Sequence, residues 1–85
     1  MEQYLYMSYT EQLKKVKKCL DNGITIYPVT IDKYYHIGKR KINYVKIEIN
    51  NNGVKKLGKE EYRQDETLTN KVFELYKILS LKLVS

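Results

Sequence analysis

In 85 residues the chain has no alanine and no tryptophan, and only one cysteine, one proline, one histidine and one phenylalanine. The single cysteine, Cys19, excludes an internal disulfide framework and fits a reducing compartment. With His36 as the one histidine, a zinc ligand set is also excluded. No apolar run approaches the ~18 residues that a membrane span needs. Met1-Glu2-Gln3-Tyr4 has neither the basic nor the apolar region of a signal peptide. A cytoplasmic protein without membrane contact is therefore expected. Gly-rich phosphate loops, nucleophile elbows and paired-carboxylate motifs are missing, so no cofactor and no catalysis are expected.

The missing alanine goes with fourteen lysines against two arginines, nine tyrosines, eight isoleucines and six asparagines. These preferences follow AT-rich codons and point to the genome of a phage, a mobile element or an AT-rich cell. Part of the lysine excess is then mutational bias rather than function.

What the chain does have is charge of one sign. The net charge is +6, with 42% apolar and 31% charged residues. That composition is globular, and the length allows one domain, residues 1–85, with one modest core. The positive balance favours polyanions or acidic protein surfaces.

The charge is concentrated between two amphipathic helices. Ser8-Tyr9-Thr10-Glu11 fits a capping box, and Tyr9, Leu13, Val16 and Leu20 form one helical stripe. Leu5 also falls on the stripe, which allows a start nearer residue 3. Asp21-Asn22-Gly23 supplies the stop. Residues 24–31 are β-branched and aromatic and read as a strand, placed at a sheet edge by Pro28. Two further strands follow at 33–38 and 41–50, joined by a tight turn with Lys39-Arg40 at its centre. At the Asn50–Gly53 turn, a three-residue loop pairs Ile47 with Leu57 and Glu48 with Lys56. It is preferred over a two-residue Asn52-Gly53 loop, which mixes the faces of a short fourth strand. The last helix starts near Asp65 or Thr67, with Leu68, Val72, Leu75, Tyr76, Leu79 and Leu83 as its core stripe. The expected fold is α+β, in the order α-β-β-β-(β)-α, with two helices on one face of a small antiparallel sheet.

On the sheet's other face this register sets Tyr35 against Tyr44, with Lys33 and Lys46 beside them. Aromatic faces among basic side chains suit stacked bases and phosphates. Lys39, Arg40 and Lys41 at the hairpin tip, with Lys55 and Lys56 on the next hairpin, complete the candidate nucleic-acid-binding set. Phe73, Ile78, Leu81 and Val84 lie off the core stripe of the last helix. Phe73, Ile78 and Leu81 are the candidate interface of a homodimer. His36 is the one candidate acid–base group near neutral pH.

The helix–three strands–helix order, with Asn52-Gly53 ending the middle hairpin, resembles the double-stranded-RNA-binding fold. It is similar also to the small ribonuclease toxins of the HicA type, which use a strand histidine. The first family's Gly-Pro-x-His and Lys-Lys-x-Ala-Lys are absent, and His36 follows Tyr34-Tyr35 rather than Gly-Ser. The likeness is topological and covers about half the chain. The expected function is that of a small accessory protein of a phage or mobile element. It binds nucleic acid or blocks a host enzyme that handles it, as anti-CRISPR proteins of this size do. The alternative is a toxin-type ribonuclease using His36.

Overall fold

Two tight turns fold the middle of the chain into an antiparallel meander of order β1-β2-β3, with β1 at Ile24–Ile37, β2 at Arg40–Asn51 and β3 at Val54–Leu57. Helix α1, Glu2–Asp21, precedes it and helix α2, Glu66–Lys82, follows. The structure is a computed structural model and describes residues 2–83, with side chains from residue 10 onward. The expected α+β class holds, with one antiparallel sheet and two helices. Among the described residues, no helix is long and apolar enough to cross a membrane.

Both turns differ in register from the sequence expectation. Ile37 faces Arg40, so the first loop is Gly38-Lys39 and not Lys39-Arg40. Gly38 has φ +61°, which a non-glycine residue resists, and a two-residue hairpin with positive φ at its first central position wants glycine there. The shift is by two residues, so every side chain keeps its face. At the second turn, Asn51 faces Val54 and Glu48 faces Leu57, the two-residue loop that face-matching disfavoured. Asn52 (φ +54°) and Gly53 (φ +93°) are both left-handed, as a type I′ turn requires. All four β3 residues are exposed, so their alternation has little burial to enforce and turn chemistry sets the register.

Residues 24–31 and 33–38, expected as separate strands, belong to one strand. Asp32-Lys33 has neither glycine nor proline to break the strand, and the chain takes up the surplus as a bulge. Thr30 faces Val45 and Tyr34 faces Asn43, leaving residues 31–33 opposite Tyr44 alone. The Asn43 side-chain amide donates to the freed Ile31 carbonyl at 3.0 Å. A second bulge mirrors the first across β2. Gly58 N–H donates to the Ile47 carbonyl and Tyr62 exchanges two backbone bonds with Val45, so residues 59–61 stand opposite Lys46.

The core joins Cys19 of α1, Ile24 and Ile26 of β1, Val45 and Ile47 of β2, and Leu68 and Tyr76 of α2. Helix α2 presents its expected stripe, with Val72, Leu75, Leu79 and Leu83 packed against these residues. Asp65 caps it, its carboxylate accepting from Thr67 N–H at 3.0 Å. Helix α1 begins at Glu2, so Ser8 lies inside the helix and is no N-cap. Its buried face is turned from the Leu13–Leu20 line toward Cys19. Those leucines are 46% and 48% exposed, whereas Cys19 is sealed. A small residue is what lets the helices approach there, and the Cys19 thiol donates to the Tyr76 carbonyl at 3.4 Å. The side chain of Tyr9 and the whole of Val84 lie outside the described residues.

As expected, Pro28 lies on an edge strand. At Ile26 the outward backbone of that edge is satisfied by one side chain. The Tyr76 hydroxyl accepts from Ile26 N–H at 2.9 Å and donates to the Ile26 carbonyl at 3.3 Å. Tyr76→Phe keeps the ring and leaves both buried groups unpaired. It should cost about 1–3 kcal/mol in urea unfolding, and a loss well below 1 kcal/mol would show that water replaces the hydroxyl.

Candidate nucleic-acid interface

Alternation along the strands sends Ile24, Ile26, Val45 and Ile47 to the helices and Arg40, Ile42, Tyr44, Lys46 and Glu48 of β2 to the opposite, outer face. Tyr35 faces Ile42 and lies diagonally beside Tyr44, so the outer face gathers Lys33, Tyr35, Tyr44 and Lys46. The tyrosine rings meet edge to face, centroids 4.9 Å apart at 64°. The Lys33 ammonium stands 5.1 Å from the Tyr44 centroid.

The segment after β3 adds two residues that the sequence reading missed. Arg63 places its guanidinium 4.9 Å from the Tyr35 centroid. The Tyr44 hydroxyl beside it holds that guanidinium even more firmly protonated than usual. Glu61 accepts from Lys33 at 2.7 Å, joining one bulge to the other across β2. This bond lowers the Glu61 pKa and raises that of Lys33. The segment 60–64 reads as a plain acidic stretch before a helix. Its only strand-like signal is Tyr62-Arg63-Gln64, too short to count as a strand without its backbone partners.

Tyr35 is buried at 7% exposure. Tyr44 covers it, Arg63 covers it, and its hydroxyl accepts from Gln64 N–H at 2.9 Å. It props the platform up and offers no ring face to a base. Tyr44 remains half-buried.

Lys39, Arg40 and Lys41 are all exposed at the hairpin tip. Arg40 continues the outer face, Lys39 sits in the turn, and Lys41 stands on the reverse side, 3.7 Å from the Tyr34 centroid. His36 is exposed there too, opposite Lys41. Lys55 lies on the outer face opposite Asn50. Lys56 lies on the helix-side face opposite Ile49, apart from the cluster.

The two acids near the cluster are each held by a partner. Glu48 accepts from the Tyr27 hydroxyl, which raises the Tyr27 pKa, and Glu61 is held by Lys33. Among the described residues no group of three or more histidine, cysteine or acidic side chains could hold a metal. The off-stripe residues of α2 spread over an arc of roughly 140°. Phe73 is half-buried, Ile78 is 41% exposed and Leu81 is 73% exposed. Glu74 and Lys77, both exposed, lie between them on that arc.

The chain matches no family model, no curated protein and no solved structure.

Tyr62 anchors the second bulge, and its hydroxyl donates to Glu60 at 2.6 Å. This bond and partial burial push its pKa up to about 12. A tyrosine titrating above its unfolded value of ~10 contributes stability fully below pH ~10 and loses it as pH rises through the folded value. An ultraviolet phenolate titration should show a late-titrating tyrosine that disappears in Tyr62→Phe and moves down in Glu60→Gln. A late step unchanged in both variants would assign it to another tyrosine.

Proposed function

We propose that this chain is a small non-enzymatic protein that grips the phosphate backbone of nucleic acid with the outer face and tip of the β1–β2 hairpin. The observation that supports the reading is the clustering of Lys33, Arg40, Lys46 and Arg63 on one sheet face. The neighbouring Glu48 and Glu61 are both engaged by hydrogen-bond donors. Cations gathered on one face attract polyanions well beyond what scattered charges do. With Tyr35 sealed, base stacking falls to Tyr44 alone, and recognition is dominated by phosphate contact with little sequence preference. His36 faces the reverse side from this cluster, which favours binding over a ribonuclease mechanism. The setting is that of a phage or mobile-element accessory protein occupying nucleic acid that a host enzyme would otherwise handle.

Binding should weaken with salt, with a log–log slope of about −0.9 per duplex phosphate neutralised or −0.7 per single-strand phosphate. Reversing Lys39, Arg40 and Lys41 together to Glu should abolish binding while melting stays near wild type, since all three are exposed. His36→Ala should bind normally. An affinity indifferent to salt, or RNA cleavage that vanishes in His36→Ala, would replace this reading with another.

Glu61 supplies a more discriminating variant. The Lys33–Glu61 pair is largely solvent-exposed, and such pairs contribute little to stability. Glu61→Gln removes a negative charge and frees Lys33 for phosphate. Affinity at low salt should rise and the salt slope should steepen by about one phosphate contact. Unchanged binding would place the contact surface elsewhere.

A further inference from the structure

The sheet has two edges, and Tyr76 occupies one of them at Ile26. On β1, Tyr76 occupies the outward groups of Ile26, and Pro28 has no N–H to offer. On β3 the outward groups are identified by hydrogen-bond alternation. Gly58 bonds Ile47, so the bonded pairs of this ladder are Ile47–Gly58, Ile49–Lys56 and Asn51–Val54. Lys55 and Leu57 therefore point their N–H and C=O groups away from β2. Among the described residues β3 is last in the sheet, and no strand pairs with that side.

Beside this edge lies a groove of about 300 Å³, between the helix-side face of the sheet and α2. Its apolar lining is Ile47, Ile49, Leu57, Tyr62 and Leu75. Lys56, Lys59 and Lys71 surround it, with Glu60 as the one acid. Glu60 is taken by the Tyr62 hydroxyl, and Lys71 lies 3.6 Å from Glu74. The volume stands at the lower end of ligand pockets and has room for one or two apolar side chains.

We propose that the open edge of β3 receives an extended acidic peptide from a partner protein as a fourth strand, with an apolar side chain seated in this groove. An added strand takes its affinity from main-chain bonds and its specificity from alternate side chains. Here the main-chain groups are those of Lys55 and Leu57. The alternate positions of the incoming strand that face α2 meet the apolar lining with Lys56 and Lys71 at its rim, and the acids between them turn to the outer face beside Lys55. A second copy of this chain fits poorly, because an antiparallel β3–β3 pairing sets lysines against lysines. A nucleic-acid backbone gains nothing from the apolar lining. Lys55 stands on the outer face as well, so the two readings are told apart by the groove and by the backbone groups of Lys55 and Leu57, which the cluster of Lys33, Lys46 and Arg63 does not include.

The test uses a fluorescein-labelled peptide alternating Glu with Leu and Val, a Lys-for-Glu version, and an acidic version N-methylated at every second residue. Polarisation should report binding of the first peptide alone, weakening as salt rises. Lys55→Pro removes an outward N–H and no bond to β2. It should lower peptide affinity at least about tenfold, the worth of one or two backbone hydrogen bonds. Its affinity for DNA should fall only by what the loss of one lysine explains. Amide exchange on the unaltered chain gives a readout without mutation, in which the Lys55 and Leu57 N–H groups should slow when the acidic peptide is added. Equal binding of the lysine peptide, equal binding of the methylated one, or no slowing at Lys55 and Leu57 would overturn the proposal.

Discussion

Tyr76 ties three of the five elements together. Its hydroxyl both accepts from and donates to the backbone of Ile26, taking the place that a neighbouring strand would occupy on β1. Its own carbonyl accepts the Cys19 thiol of α1. Its ring is buried in the core with Ile24 and Val45. A strand edge must otherwise be paired, wetted or covered, because unpaired buried amides are costly. Closing β1 in this way draws α2 toward the β1 side of the sheet. The four β3 residues are exposed, and the groove beside them lies against Lys71 and Leu75 of α2.

The outer face depends on the paired bulges in the same way. An extra pair of residues in one flanking strand would twist it away from β2. Extra residues on both flanks at the same level, opposite Tyr44 and Lys46, keep the sheet together and aim Lys33 and Glu61 toward each other. Bulges redirect side chains in this manner. Asn43 satisfies the carbonyl that the first bulge frees, and Gln64 ties the trailing segment to Tyr35 and to the Asn43 carbonyl. Tyr35 is consumed as the support for this arrangement. With Tyr35 sealed, the face turns exposed Lys33, Arg40 and Ile37 and half-buried Tyr44 and Lys46 toward solvent.

Much of this was legible in the chain. The α2 stripe from Leu68 to Leu83, the Asp65 cap and the edge position of β1 all follow from local rules that tertiary packing did not override. The misread registers share a cause. At Asn52-Gly53 turn chemistry outweighs face-matching, because β3 has no buried residue to make a mismatch of faces costly. At the hairpin tip the loop takes in Gly38, whose φ of +61° an L side chain resists. The outer-face partners of Lys33 and Tyr35 were invisible for a different reason. Glu61 and Arg63 reach them only because residues 58–64 run beside β2, and that pairing is carried by backbone bonds of Gly58 and Tyr62 that no side-chain pattern announces.

A domain this small has two sheet faces and two sheet edges to assign. Its core holds few buried side chains, and stability is a small difference between large terms. One face is covered by the helices and one edge is closed by Tyr76, which leaves the outer face and the β3 edge uncommitted. Both carry excess positive charge, but their chemistry differs. The outer face has cations with no apolar recess beside them, suited to a polyanion that stays hydrated. The β3 edge joins free amide and carbonyl groups to an apolar groove ringed by lysines, suited to an anionic chain that has a backbone and side chains of its own. A net charge of +6 slows non-specific self-association. Under the two proposals above, what lies next to the charge, and not the charge itself, separates a phosphate backbone from an acidic peptide.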